Sequence, residues 1–139
     1  MRHNELRDLT ASLLSEVCHD VGVKPVLQPL SGEILTGCSA NVSPEARLDI
    51  SARGFWENRF PRTLFDVRVF HPNGSSVRTV PLSSQYTRHE RIKRREYEQR
   101  VREIDGCSFV PLIFSTAGGM GRACTATFKR LASLLAGRH

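Results

Sequence analysis

The sequence predicts a single α/β domain, a mixed sheet flanked by helices, and three observations support this fold class. The chain has 139 residues, of which 40% are apolar and 24% charged, as in ordinary globular domains. Segments with apolar residues at helical spacing alternate with short segments rich in β-branched and aromatic residues. Glycines and prolines separate them. A chain of this length buries enough surface for one hydrophobic core, so residues 1–139 are treated as one domain.

The first helix is predicted over residues 5–21. Asn4 is a good N-cap, and the spacing continues to Gly22. The apolar positions at helical spacing are Leu6, Leu9, Leu13, Val17 and Val21. Residues 23–30 contain two prolines, which predicts at most a short edge strand, and residues 31–44 are predicted as a loop.

Two further strands follow, over residues 46–53 and 63–70. In the first, Leu48, Ile50 and Ala52 alternate with polar residues, as a strand with one polar face requires. The second is β-branched and aromatic and ends at Pro72. Both strands therefore carry polar side chains on one face of the sheet.

A long charged helix is predicted over residues 86–104, and an apolar strand over residues 109–115. That strand is apolar on both faces, which suits a central position, although Pro111 removes one ladder hydrogen bond. The chain ends in an amphipathic helix whose apolar side carries Cys124, Phe128, Leu131 and Leu135. The predicted order is helix, three strands, helix, strand, helix.

Composition limits the class of protein. The longest apolar run, residues 109–114, is too short to cross a bilayer, and no secretory signal opens the chain, so we expect no membrane partner and a cytosolic or nuclear location. The four cysteines lack the paired spacing of zinc sites and are predicted to be free thiols. A net charge of +6 favours polyanionic partners such as nucleic acid.

Asp49 and Asp66 are the first candidate site residues. Each lies on the polar face of a predicted strand. Two carboxylates 4 Å apart repel by about 4 kcal/mol at an effective dielectric constant of 20. Their convergence would call for a divalent cation, Mg²⁺ or Mn²⁺. The alternative is a pair of ordinary ion pairs, Asp49 with Arg47 or Arg53, and Asp66 with Arg68.

Lys93 is the candidate basic residue. At 100° per residue it lies about 20° from Tyr86, within the core-facing stripe of the charged helix, together with Tyr97. A lysine in that position has to reach solvent or meet a carboxylate. Its partner could be a buried aspartate or simply Glu90.

Arginines dominate the outer faces of the last two helices, as expected of a surface that contacts phosphates. We predict DNA contacts for Arg47, Arg88, Arg94, Arg95, Lys129 and Arg130. The glycine segment 118–121 could form an anion-binding nest at the start of the last helix, or only a turn.

Two motifs resemble the restriction-like endonuclease domain of non-LTR retrotransposons, a member of the PD-(D/E)XK nuclease superfamily. The first is Arg47-Leu48-Asp49, followed after sixteen residues by Asp66-Val67-Arg68. The second is His89-Glu90-x-x-Lys93-x-x-x-Tyr97. The resemblance covers roughly residues 2–137 and implies a restriction-endonuclease-like αβββαβ core with an additional C-terminal helix.

The resemblance also implies an activity and partners. The family nicks DNA with a divalent metal, and the new 3′ hydroxyl primes reverse transcription of a retroelement in the nucleus, after synthesis in the cytoplasm. The expected metal ligands are Asp49, Asp66 and the Val67 carbonyl. Arg2-His3-Asn4 resembles the stretch after a zinc knuckle, which suggests a piece of a longer polyprotein with zinc-knuckle and reverse-transcriptase domains as partners.

Two positions depart from the family pattern. Leu48 replaces a proline, and Arg68 occupies the position of a lysine, although arginine is a poor general base. The resemblance implies that the basic residue has moved to Lys93, with Tyr97 one turn away and Arg68 clamping the scissile phosphate. The alternatives are a catalytically dead nucleic-acid-binding module of the same fold and a protein-interaction domain.

Overall fold

The computed structural model describes residues 3–23, 48–56, 62–72, 81–103 and 106–137. Its helices are α1 (His3–Ser15), α2 (Leu82–Glu103) and α3 (Arg122–Ala136). Its strands are β1 (His19–Val23), β2 (Ile50–Arg53), β3 (Arg62–Phe70) and β4 (Ser108–Ser115). The predicted mixed α/β class is confirmed, and α1, β2, β3, α2, β4 and α3 occur in the predicted order.

The four strands form one sheet in the order β1-β2-β3-β4. β1 and β2 pair antiparallel, β2 and β3 pair antiparallel, and β3 and β4 pair parallel. α2 is the crossover between the two parallel strands, as such a connection requires. Within the described sheet β4 is an edge strand, so its predicted central position is wrong, and an edge tolerates Pro111.

Two apolar layers cover the sheet. On one face, α1 and α3 contribute Leu14, Cys124 and Leu131 to a core with Phe65 and Leu112. On the other face, α2 packs on smaller clusters at both ends of the strands: Leu64, Val101 and Phe109 at one, and Phe70, Tyr86 and Ile113 at the other. Residues 64, 66, 68 and 70 of β3 therefore belong to the α2 side, because successive side chains of a strand point to opposite faces.

The first helix is shorter than predicted. It ends at Ser15 rather than at residue 21, and a turn in which Cys18 N–H donates to the Leu14 carbonyl leads into β1. Val17, in this turn, and Val21, in β1, still pack against the core that α1 covers. Of the predicted weak strand, only residue 23 lies within the described residues.

Cys18, Cys107 and Cys124 are free thiols, as predicted, and Cys38 lies outside the described residues. Burial raises the pKa of the Cys124 thiol to about 12. None of the helices in the described ranges has the length and apolar character needed to cross a membrane.

Candidate active site

Asp49 and Asp66 lie side by side on the α2 side of the sheet. Ile50 pairs with Phe65, so the antiparallel register places Asp49 next to Asp66. Both residues are buried, at 8% and 6% exposure. Val67 N–H donates a 2.7 Å hydrogen bond to Asp49 Oδ2, and the two carboxyl groups are close enough to hydrogen-bond to each other when one is protonated.

Lys93 completes this cluster from α2. Its Nζ lies 2.9 Å from Asp66 Oδ2, and its side chain is 18% exposed. The alternative partner, Glu90, is engaged elsewhere, since its Oε1 accepts a 2.9 Å hydrogen bond from Ala123 N–H. Two of the alternative pairs of the aspartates are not formed, because Arg53 pairs with Asp20 and Asp66 pairs with Lys93. The third, Asp49 with Arg47, lies outside the described residues.

Burial controls the electrostatics of the cluster. Desolvation and the neighbouring Asp49 raise the pKa of Asp66 to about 7, although Lys93 opposes the shift. Desolvation lowers the pKa of Lys93, but the hydrogen bond to Asp66 and the charge of that residue outweigh it, so the net shift is upward. Lys93 is therefore an ammonium at neutral pH. Burial, followed by the negative charge of Asp66, raises the pKa of Tyr97.

The donor set fits one hard divalent cation with open positions. Asp66 Oδ2 is buried, and Lys93 Nζ, 2.9 Å away, uses only part of the acceptor capacity of this carboxylate oxygen. Mg²⁺ is commonly held by one or two carboxylates, with water and phosphate oxygens as its other ligands. Among the described residues no three His, Cys, Asp or Glu side chains group as metal ligands. The expected ligands are two carboxylates and one backbone oxygen, the Val67 carbonyl.

Tyr97 and Arg68 border the cluster without joining it. The Tyr97 ring lies against Phe109. The Lys93 ammonium lies 5.7 Å from the centroid of the Tyr97 ring and forms a cation–π contact with it. Arg68 follows Asp66 on the same face but is exposed, in a groove of about 320 Å³ that Arg88 and His89 also line. Burial and the charges of Arg68, Arg88 and Lys93 lower the pKa of His89, so this groove is electropositive.

His3 is a site residue that sequence reasoning did not assign. Its Nε2 lies 3.3 Å from both carboxylate oxygens of Asp49. Nothing local in the sequence indicates this contact, because it joins the first turn of α1 to a residue 46 positions later. In the sequence, His3 stands out only as part of the motif Arg2-His3-Asn4, and that motif does not indicate a role for it.

The predicted DNA-contacting residues divide into two groups. Arg88, Arg95 and Lys129 are exposed on the outer faces of α2 and α3. Arg94 pairs with Glu98, and Arg130 donates to the Phe55 carbonyl and lies over the Trp56 ring. Arg47 lies outside the described residues.

The glycine segment does not leave an open anion nest. Glu90 lies at the N-terminus of α3, where its carboxylate accepts from Ala123 N–H. Gly121 N–H donates to the Ile113 carbonyl at 2.8 Å. A Cβ at Gly121 would lie 2.7 Å from Glu90 Oε1, so glycine is needed here for a close approach. The carboxylate at this helix end is the chain's own, and the nest interpretation is wrong.

Comparison with protein-family models gives no match, and comparison with curated proteins gives none either. The resemblance to the retrotransposon endonucleases therefore depends on the motif residues of the sequence alone.

Proposed function

We propose that this domain is a divalent-metal-dependent DNA endonuclease of the restriction-like type, which nicks target DNA to prime reverse transcription of a retroelement. The observation that carries the proposal is the meeting of Asp49, Asp66 and Lys93 at one buried point on the sheet. Outside a functional site, such a cluster is costly, because each buried charge has to be paired. The proposal includes the nuclear location and the polyprotein partners of that family.

Each residue has a role derived from its surroundings. Asp49 and Asp66 would hold Mg²⁺ or Mn²⁺, and the Val67 N–H keeps the Asp49 carboxylate in place. When bound, the metal supplies an activated water and charge neutralisation at the scissile phosphate. Lys93, protonated at neutral pH, orients the water or neutralises developing charge rather than accepting a proton. Arg68 lies where it can bind a flanking phosphate.

A nucleic-acid-binding module without activity is the second candidate. One observation favours it: the Lys93 ammonium already neutralises Asp66, so the cluster can be a purely structural ion pair. In that case the domain retains DNA through its basic surfaces and hydrolyses nothing.

Nicking of supercoiled plasmid separates the two candidates. We expect nicking with Mg²⁺ or Mn²⁺, none with EDTA, and none with Asp66→Asn, while Asp8→Asn serves as a matched control because Asp8 is an exposed aspartate of α1. DNA retention without nicking by the unmodified chain would favour the binding module. Retention should weaken with salt at a log–log slope of about −5 if six phosphates are contacted. A flat salt response would remove DNA as a partner.

The roles of the two basic residues are separable. Lys93→Ala should reduce nicking by about 100-fold or more while DNA affinity changes little, the scale of loss expected for a positioned catalytic group. Arg68→Ala should weaken both, because a phosphate clamp contributes to binding and to catalysis. Nicking by Lys93→Ala at the parental rate, with an unaltered melting curve, would limit Lys93 to a structural role.

A further inference from the structure

A second basic surface lies on the outer side of α2, where the start of α3 adjoins it, and it shares only Arg88 with the groove that Arg68 lines. It is a groove of about 750 Å³, called the outer groove below. Its polar lining consists of the hydroxyls of residues 83, 84 and 87 and of four guanidinium groups, from Arg88, Arg91, Arg95 and Arg122. Ile92, 40% exposed, adds an apolar contact within the groove.

The charge of the outer groove is not compensated. No carboxylate of the described residues forms an ion pair with Arg88, Arg91, Arg95 or Arg122, whereas Arg53 and Arg94 each have one. Positions 88, 91 and 95 are three and four residues apart on one helix face, where like charges destabilise a helix by a few tenths of a kcal/mol per pair. An anion in the groove would offset that repulsion.

The outer groove and the aspartate cluster lie on opposite sides of α2. At 100° per residue, Arg88, Arg91 and Arg95 are about 140° to 160° away from Lys93 around the helix. A helix with its side chains is about 10–12 Å across. A phosphate held at Asp66 and one held in the outer groove therefore cannot be neighbours on one strand.

The spread of the arginines indicates the kind of ligand. Arg88 and Arg95 are seven residues apart, which corresponds to about 10 Å along the helix axis, or about three nucleotides of axial rise. A small phosphate ligand needs its donors directed at one point, whereas charges spread over this distance match a row of phosphates. Arginine and hydroxyl side chains are also the usual donors to a nucleic-acid backbone.

We propose that the outer groove binds a phosphodiester backbone other than the segment held at Asp49 and Asp66. The ligand is a second stretch of nucleic acid, read through its phosphates and not through its bases. This inference goes beyond the nuclease proposal, since the groove can bind nucleic acid whether or not the aspartate cluster cleaves it.

The test compares two double variants of equal net charge. Arg91→Ala/Arg95→Ala removes two arginines of the outer groove, and Arg53→Ala/Arg102→Ala removes two exposed arginines outside it. Fluorescence anisotropy gives the affinity of each variant at several salt concentrations. The probes are labelled duplex DNA of 20 base pairs and labelled single-stranded DNA and RNA of 20 nucleotides. The first variant should reduce the log–log slope by about 1.8 for a duplex or 1.4 for a single strand, and the second by far less.

The three probes also identify the source of the backbone, because the largest loss marks the preferred form of nucleic acid. Equal slopes for the two double variants with every probe would overturn the inference. A slope loss in a chain that never nicks DNA would leave it standing while the nuclease proposal fails.

Nicking at saturating DNA tests whether the two sites are separate. Arg91→Ala/Arg122→Ala, which removes two arginines of the outer groove, should retain the parental rate there, since the outer groove does not hold the segment being cut. A loss of rate at saturation, with an unchanged melting curve, would make the groove part of the cleavage track and overturn the proposed second segment.

Discussion

Replacing Lys93 by methionine removes the ammonium 2.9 Å from Asp66 Oδ2 while keeping an unbranched side chain of similar length. At an effective dielectric of 20, the attraction across that distance is about 6 kcal/mol before desolvation is subtracted. Removing one partner of a buried pair typically costs 3–5 kcal/mol if the other stays charged. Asp66, however, can become neutral by taking up a proton, which avoids this cost.

The loss should therefore depend on pH. The pKa of Asp66 is raised from its ordinary value of 3.8 to about 7, so the folded chain loses stability as pH rises from about 4 to 7, and the loss stops once Asp66 ionises. Without Lys93 the pKa of Asp66 in the folded chain is higher still, so the chain continues to lose stability above pH 7. The difference in free energy of unfolding between the unmodified chain and Lys93→Met then grows by at most about 1.4 kcal/mol per pH unit, or 2–3 kcal/mol between pH 7 and 9.

Urea denaturation at pH 5, 7 and 9 measures this difference. Lys93→Met should be nearly as stable as the unmodified chain at pH 5 and clearly less stable at pH 9. Lys129→Met is the control, because Lys129 is exposed on α3 and should give a small change that does not vary with pH. A destabilisation by Lys93→Met of the same size at all three pH values would refute the coupling between Lys93 and Asp66.

Three further predictions use the same denaturation assay. Glu90→Ala should lower the free energy of unfolding by about 1–2 kcal/mol, because α3 loses the carboxylate at its N-terminus, and an unchanged value would mean that water replaces it. Tyr86→Phe should lower it by about 1 kcal/mol through the lost 2.8 Å hydrogen bond to Ser115, and no change would mean that this bond adds nothing to stability. Phe55→Ala should cost about 3–5 kcal/mol, since Phe55 is fully buried, and a loss below 1 kcal/mol would contradict its place in the core.

Local periodicity predicted most of the fold. The strands at residues 62–70 and 108–115 and the charged helix were found because alternation and helical spacing each repeat over several turns or residue pairs. β1 was missed because Val17 and Val21 continue the helical spacing of Leu13 beyond Ser15, where α1 ends. The edge position of β4 could not be predicted, since a strand covered by helices on both faces is apolar whether it is central or at an edge.

The candidate site was predictable where one element determines the direction of a side chain. Strand alternation placed Asp66 on its face, and the helical angle of Lys93 pointed it inward. His3 against Asp49 and Glu90 against Ala123 were not predictable, because each joins elements that are distant along the chain. Such contacts depend on how helices dock on the sheet, and no local pattern records that docking.

The charge balance of the cluster joins its electrostatics to the proposed chemistry. Two aspartates face one lysine, so the fully ionised group carries one surplus negative charge inside the protein, where uncompensated charge is costly. Burial, followed by the neighbouring Asp49, raises the pKa of Asp66 to about 7, so in the absence of a metal a proton compensates that charge. A divalent cation bound by both carboxylates would compensate it without the proton. Proton and metal therefore compete for the same oxygens, and the raised pKa of Asp66 reflects the same electrostatic demand that would favour a divalent cation.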